Sequence, residues 1–343
     1  MDLTAGLNAS MDEVTASTPT DPEFREGTSM WLWDDAGRVT LPRMAVEVVG
    51  ATWDTQRMLM GNVVLADGRI FHIFSQAPAL PVSNAAGQPR VLGAGPMRFE
   101  CVKPFDHWRF AYDGEALEMS VEDQMAGRAR PGGDTSAFRR APVKIELDTR
   151  AAAPAWKQGA LGGKGFIPGE ERFEQLFKAE GYVRVDGQEI PFSGGGLRIH
   201  RTGGARTPPG DFFGHCWQSA VFPSGRAFGL MAYHPRPDGS EKFIEAWVMH
   251  EDGEVLPARI VGIPWARDMR PSGQDVSITL STARGDIRIA AETFAITFMP
   301  ARKDVRPDAQ AGATLFTNLL QGTARYRWGD EEALGMIERS YMV

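Results

Sequence analysis

Residues 182–192 read YVRVDGQEIPF, two apolar-rich runs on either side of Asp186-Gly187. The Asp-Gly pair is favoured in tight hairpin turns because both central residues take a positive φ, which Gly reaches freely and Asp tolerates. The same dipeptide recurs, mostly between apolar flanks, at 67–68, 113–114, 238–239 and 252–253. These turns predict a chain built from antiparallel hairpins.

The rest of the chain fits an all-β protein. Short runs of alternating apolar and polar residues recur along it, and 38 Gly and 23 Pro punctuate them. Helical patterns are found at 170–180 and 309–320, and both are weak. Many short strands separated by turn residues are typical of a sandwich or barrel.

The length predicts more than one domain. A chain of 343 residues exceeds the usual size of a single core. Residues 1–24 are polar and are expected to form a flexible leader. The Ala- and Gly-rich stretch 151–169 resembles a linker, which predicts an N-terminal β domain at 25–160 and a C-terminal β domain at 161–343. The two halves echo one another loosely, as a duplicated barrel would.

Composition narrows the classes of partner. The net charge is −7 and no block of Lys and Arg is present, which argues against a nucleic-acid partner or a membrane-surface patch. No apolar run is long enough for a transmembrane segment, and no secretory signal is recognised. Cys101 and Cys216 then predict reduced thiols in a cytoplasmic protein. The sequence leaves open whether the protein forms a homodimer.

Cofactor motifs are missing from the sequence. None of the six histidines has the spacing of a helix or ribbon zinc site, and no Cys pair supports them. The Gly-rich stretches 162–165 and 194–196 lack the strand-loop-helix context and the GK[ST] of a phosphate loop, and no G-x-S-x-G elbow occurs. We therefore expect neither a metal nor another cofactor, and the alternative is a metal held by inward-facing histidines from distant strands of a barrel.

The segment 198–220 is the most unusual one, because it gathers polar residues around a Gly/Pro-rich loop. On a strand beginning at His215, the side chains of His215 and Trp217 share one face and Cys216 takes the other. Facing a barrel interior, they would set a proton-transfer group beside an aromatic wall. The alternative is a structural histidine and an ordinary packing tryptophan. The segment supplies two catalytic candidates, His215 and Asp211, and three substrate-binding candidates, Trp217, His200 and Arg201.

Two further clusters could line a pocket. Glu174 and Gln175 lie among aromatic residues, and an apolar setting would raise the pKa of Glu174 and make it a proton donor. The alternative for Glu174 is the solvated face of a short helix. Trp108 and Trp33 are the aromatic candidates for substrate binding, although aromatic residues are more often plain core.

Several of these motifs resemble a known family. WLWDDAG (31–37), PFDHWRFAYDG (104–114), the run 173–204, GHCWQSA (214–220) and RYRWGDEEALGMIERSYM (325–342) look like the tandem lipocalin-like proteins, which include the carotenoid 1,2-hydratases. His215 and Trp217 match an element of many relatives, whereas Cys216 and Gln218 depart from it. The resemblance implies two lipocalin-like antiparallel β-barrels or half-barrels packed together. It also implies cofactor-free chemistry such as the addition of water to a double bond.

Two functions follow as hypotheses. The first is a cofactor-independent hydratase, dehydratase or isomerase acting on a terpenoid, steroid-like or aromatic lipophile in a β-barrel pocket. The second is a non-catalytic carrier of such a molecule. A carboxylate within hydrogen-bond reach of His215, about 3 Å, favours the enzyme, and a pocket lined only by apolar and aromatic groups favours the carrier.

Overall fold

The computed structural model describes residues 1–128, 134–161, 170–204, 213–236, 238–240, 243–299 and 317–342. As far as it is described, the chain forms two compact units. The first unit comprises Met1–Met119, Ser136–Lys157 and Gly169–Ala205, and the second comprises Ser120–Thr135, Gln158–Pro168 and Arg206–Val343. Every strand pairing in both is antiparallel, which confirms the all-β, lipocalin-like prediction.

The first unit is a ring of strands. Its strands are β1 (Arg25–Asp34), β2 (Val39–Val49), β3 (Gln56–Leu65), β4 (Ile70–Pro78), β5 (Val91–Ala94), β6 (Met97–Lys103), β7 (His107–Met119), β8 (Arg140–Ala151), β9 (Trp156–Lys157), β10 (Glu171–Val185) and β11 (Gln188–Gly203). Neighbours run in the order β4-β3-β2-β1-β11-β10-β8-β7, and pairing between β4 and β7 closes the ring. Strands β5, β6 and β9 extend it at the edges.

The hairpin of β10 and β11 corrects two expectations. Residues 171–180, which carry a weak helical pattern, belong to a strand because β10 pairs with β11 on one side and with β8 on the other. The predicted boundary at 160/161 also differs from the observed division. Strand β11 pairs with β1 from Arg25↔Gly203 to Asp34↔Gly194, so 171–203 completes the first ring.

Residues 1–24, the predicted leader, include one short helix and one buried carboxylate. Ala9–Asp12 forms a short 3-10 helix capped by the Asn8 side chain. Residues 1–11 are exposed or half-buried, but Asp12 is completely buried. The leader thus carries one carboxylate into the interior of the first unit.

The second unit is a closed barrel. Its strands are β12 (His215–Val221), β13 (Ala227–Tyr233), β14 (Ile244–Met249), β15 (Val255–Gly262), β16 (Ile278–Thr282), β17 (Gly285–Met299), β18 (Thr317–Trp328) and β19 (Glu331–Met342). Each strand pairs with the next in sequence, and β19 pairs with β12 to close the barrel. Ser120 caps a short helix, α1 (Val121–Met125), which belongs to the same unit.

The Asp-Gly predictions hold with one exception. Asp186 and Gly187 have φ of 52° and 83°, as a two-residue turn between β10 and β11 requires. The pairs at 67–68, 238–239 and 252–253 also lie between strands. Asp113-Gly114 is not a turn, because β7 continues through it while paired with β8. In the described residues, no helix is long and apolar enough to cross a bilayer.

Candidate functional site

The site is built on β12. Its alternation places His215 and Trp217 on one face, as predicted, and Cys216 and Ala220 on the other. Cys216 and Ala220 belong to the hydrophobic cluster that fills the barrel together with Phe228. The barrel interior, considered above as one setting for His215 and Trp217, is therefore not where these side chains lie. They lie on the opposite face of the sheet, which is also buried.

His215 is held by hydrogen bonds at both ring nitrogens. Nε2 lies 3.0 Å from Oε1 of Glu338, and because a carboxylate only accepts, Nε2 carries the hydrogen. Nδ1 lies 2.6 Å from Oγ of Ser340, which donates to it. The same Oγ accepts the backbone N–H of His215 at 3.1 Å. Glu338, His215 and Ser340 thus form a continuous chain of proton-bearing groups.

Glu338 is fixed from its other side as well. Gln321 donates from Nε2 to Oε2 of Glu338 at 2.5 Å. All four side chains are buried, with exposures between 1% for Ser340 and 7% for His215 and Glu338. In such surroundings hydrogen bonds to a charged group are stronger than in water, so the carboxylate holds the imidazole in one orientation.

A ladder of buried side chains crosses the barrel on this face. Successive partners in the register are Glu245, Met231, Trp217, Glu338, Gln321 and Thr297. All are at most 7% exposed. The neighbouring row pairs His215 with Tyr233. The face therefore combines a proton-transfer chain with aromatic and thioether side chains, which are suited to a lipophilic ligand.

Two further titratable groups of the second unit, Glu245 and His234, lie on or next to strands β14 and β13. Glu245 accepts the backbone N–H groups of Gly159 and Leu161 at 3.0 and 3.3 Å. His234 stacks on Trp265 with ring centroids 4.0 Å apart. Burial and the neighbouring charge of His215 lower the pKa of His234.

Three predicted substrate-binding residues meet inside the first unit, around Arg198. Gln175, Trp108 and His200 lie on the interior face of β10, β7 and β11. The Arg198 guanidinium lies 4.3 Å from the Trp108 ring centroid and 3.4 Å from Oε1 of Gln175. His200 faces acceptors at both nitrogens, Met11 O and Glu26 Oε1, each at 3.0 Å.

The remaining candidates lie elsewhere in the first unit. Trp33 packs over Gly195, where an added Cβ would lie 3.1 Å from the indole. Arg201 points to the opposite face from His200 and pairs with Glu47. Glu174 is buried rather than solvated, and its Oε1 accepts a hydrogen bond from Arg172 at 2.6 Å. Asp211 is outside the described residues.

The sequence analysis missed the partners of His215. Glu338 and Ser340 share one face of β19 with Met336, and the run Glu338-Arg339-Ser340 places three polar residues in a row in the buried part of this strand. That pattern indicates a buried polar cluster on β19, but it does not indicate which other strand contributes to the cluster. His215 and Glu338 are 123 residues apart and meet because the first and last barrel strands pair.

Metal ligands and surface grooves are the other places where a site could lie. Within the described residues, no three His, Cys, Asp or Glu side chains are grouped as metal ligands. An open groove of about 410 Å³ on the first unit is lined by charged residues such as Arg98, Glu100, Arg109 and Glu146. None of the predicted site residues lines it, and its charged wall does not suit a lipophile.

The fold places the chain among tandem antiparallel β proteins of known structure. An AttH-like protein from Nitrosomonas europaea matches over 100% of both chains with a TM-score of 0.58 and 16% identity. CghA matches over 100% of this chain and 97% of its own, with a TM-score of 0.54 and 10% identity. Kievitone hydratase from Nectria haematococca matches over 99% and 96%, with a TM-score of 0.50 and 12% identity. At these identities the likeness confirms the shared fold.

The family follows from the sequence itself. Residues 10–342 match the family described as a domain of unknown function, DUF7064, and the chain belongs to it. No curated protein sequence matches the chain.

Proposed function

We propose that this protein is a cofactor-independent hydratase, dehydratase or isomerase that acts on a lipophilic small molecule, with His215 as its proton-transfer residue. The observation that carries the proposal is the 3.0 Å hydrogen bond between His215 and the buried carboxylate of Glu338. A carboxylate on one imidazole nitrogen sets the tautomer and stabilises the cation that forms when the other nitrogen takes a proton.

The chemistry would run through Nδ1 of His215. Glu338 fixes the hydrogen on Nε2, so Nδ1 is the basic atom, and the Ser340 hydroxyl stands where it can pass a proton to it. In hydration, the protonated imidazole of His215 would give one proton to an alkene carbon, the other carbon would gain a water oxygen, and that water would then return a proton to the neutral imidazole. Isomerisation needs only the removal of a proton and its return at another carbon. A positioned acid or base of this kind contributes about a hundred- to ten-thousand-fold.

The lipophilic substrate class rests on the rest of the face. Trp217, Tyr233 and Met231 share the face of His215 and supply apolar surface. Indole and phenol rings also stabilise a carbocation above their faces. The shared fold with kievitone hydratase and CghA, the latter also solved with Sch210972, is consistent with a small organic substrate.

A carrier is the second candidate, and one observation favours it. Both ring nitrogens of His215 are already engaged by Glu338 and Ser340, as in a purely structural histidine. In that case the buried aromatic face would hold a lipophile without changing it.

The experiment that separates the two uses one variant and its parent. Native mass spectrometry of freshly purified protein identifies a bound lipophile, which is then incubated with wild-type protein and with His215→Asn. Conversion by the wild type, reduced at least about a hundredfold per folded molecule in the variant, supports the enzyme. Recovery of equal amounts of unchanged ligand from the wild type and the variant would support the carrier function.

A further inference from the structure

The interior of the first unit contains a second polar cluster, separate from His215. Its centre is the guanidinium of Arg198, which is only 2% exposed. Trp108 and Phe173 lie against it with ring centroids 4.3 and 5.3 Å from its central carbon. A buried cation between aromatic rings requires an anion, because an unpaired charge in such surroundings is strongly unfavourable.

Within the described residues, the anion is the leader's own carboxylate. Oδ1 of Asp12 lies 2.7 Å from Nη1 of Arg198. Oδ2 accepts the backbone N–H of Phe105 at 2.5 Å and the indole N–H of Trp108 at 3.0 Å. The Arg198 contact is close, but its N–H is not aligned for a hydrogen bond. Asp12 therefore fills a carboxylate cradle with imperfect geometry.

The backbone of the cradle is strained. Phe105 has a φ of 56°, in the left-handed region that a bulky residue rarely adopts. This conformation lies next to the N–H that donates to Asp12. Strain of this kind persists where the surroundings enforce it, and it clusters at ligand clamps.

The segment that supplies Asp12 is otherwise peripheral. Residues 1–11 are exposed or half-buried. Leu7 and Met11 pack against an apolar wall formed by Phe105, Ala155 and Phe173. The leader therefore places the hydrocarbon side chains of Leu7 and Met11 and then the carboxylate of Asp12 in this part of the first unit. These are the two parts of an apolar carboxylic acid.

Two side chains of the first unit also donate hydrogen bonds to main-chain carbonyl oxygens of the leader. Gln175 donates to Leu3 O at 3.2 Å, and His200 donates to Met11 O at 3.0 Å. Gln175 also donates to Phe105 O and Ala153 O, so it stays anchored to the ring without the leader. The cradle would therefore keep its shape after the leader departs.

We propose that the first unit contains a binding site for lipophilic carboxylic acids, made by Arg198, Trp108 and the Phe105 N–H, and that the leader occupies it through Asp12. A tethered group is a strong competitor because its effective concentration is high. An acid from solution must displace it, so the wild-type protein binds such acids weakly. This site is independent of the activity proposed for His215.

The test uses the full chain with Asp12→Ala, with phenylacetate as the probe in isothermal titration calorimetry. Removal of the tethered carboxylate should tighten phenylacetate binding by roughly tenfold or more relative to wild type. Saturating phenylacetate should also restore part of the melting temperature that the variant loses. The neutral isostere phenylacetamide should do neither, because it carries no charge for Arg198.

Two controls keep the outcome decisive. Glu13→Ala removes the adjacent acid, which pairs with Arg90 at the surface of the cluster, and should leave phenylacetate binding at the wild-type level. If Asp12→Ala does not fold, the same phenylacetate titration is performed on the isosteric variant Asp12→Asn. A folded variant that binds phenylacetate no better than wild type, or binds the amide equally well, would overturn the proposal.

Discussion

The pairing of Glu338 with His215 makes a quantitative prediction for Glu338→Gln, which keeps the shape of the side chain and removes its charge. In the structure the carboxylate accepts Nε2–H groups from His215 at 3.0 Å and from Gln321 at 2.5 Å. Hydrogen bonds to a charged group contribute about 1.5–3 kcal/mol and neutral ones about 0.5–1.5 kcal/mol. Each of the two bonds therefore loses about 1–1.5 kcal/mol, and we expect the variant to lower the free energy of unfolding by about 2–3 kcal/mol.

The melting temperature should fall accordingly. For a domain of about 150–250 residues, each kcal/mol corresponds to roughly 2–4 °C, which gives a decrease of about 4–12 °C. Differential scanning calorimetry and urea unfolding measure both quantities. Glu332→Gln is the matched control, because Glu332 lies on the same strand, pairs with Arg327 at the surface and should change stability by less than about 1 kcal/mol.

A double-mutant cycle isolates the pair itself. His215→Asn and Glu338→Gln should be non-additive by about 0.5–3 kcal/mol, as expected for residues in direct contact. Additive effects within experimental error would refute the conclusion that these two side chains form one hydrogen-bonded unit.

Two further predictions concern pH and packing. Burial and then the charge of His215 lower the pKa of His234 in the folded protein. As the pH falls, the unfolded chain therefore binds a proton at this histidine before the folded protein does. Stability should therefore be constant above about pH 6.5, fall as the pH drops towards the lowered value, and lose this dependence in His234→Gln, as followed by thermal melts across pH. A Cβ at Gly196 would lie 2.2 Å from the Phe177 ring, so Gly196→Ala should cost about 1–3 kcal/mol in urea unfolding. Gly204→Ala, where the space is open, should change stability by less than about 0.5 kcal/mol, and equal effects of the two would contradict this packing.

Local turn chemistry made much of the fold predictable. Asp186-Gly187 indicates its own turn because the dipeptide directly determines the backbone conformation. The weak helical pattern at 171–180 arises because Glu, Gln, Leu, Lys and Ala favour a helix. The residues form a strand instead because β10 is paired with β11 on one side and with β8 on the other, which overrides that preference. The first ring is closed by β11 against β1, a pairing between distant segments that no local pattern reveals.

The candidate site was predictable in part for the same reason. Alternation along β12 is local, so the shared face of His215 and Trp217 follows from the sequence. Which face is packed inside the barrel depends on all the neighbouring strands, so the alternation alone does not show whether His215 and Trp217 face inwards or outwards. The partner Glu338 lies on the last strand, so only barrel closure brings it to His215.

Isotope incorporation tests the central claim most directly. The lipophile that co-purifies with the protein is incubated with wild-type protein and with His215→Asn in water enriched in ¹⁸O and deuterium, and the ligand is then analysed by mass spectrometry. If His215 transfers a proton to or from the bound molecule, the wild type should yield a product that carries ¹⁸O and deuterium after hydration, carries deuterium alone after isomerisation, or has lost water after dehydration, and the variant should yield almost none. Recovery of unlabelled ligand from the wild type, or equal labelling by the variant, would contradict the account.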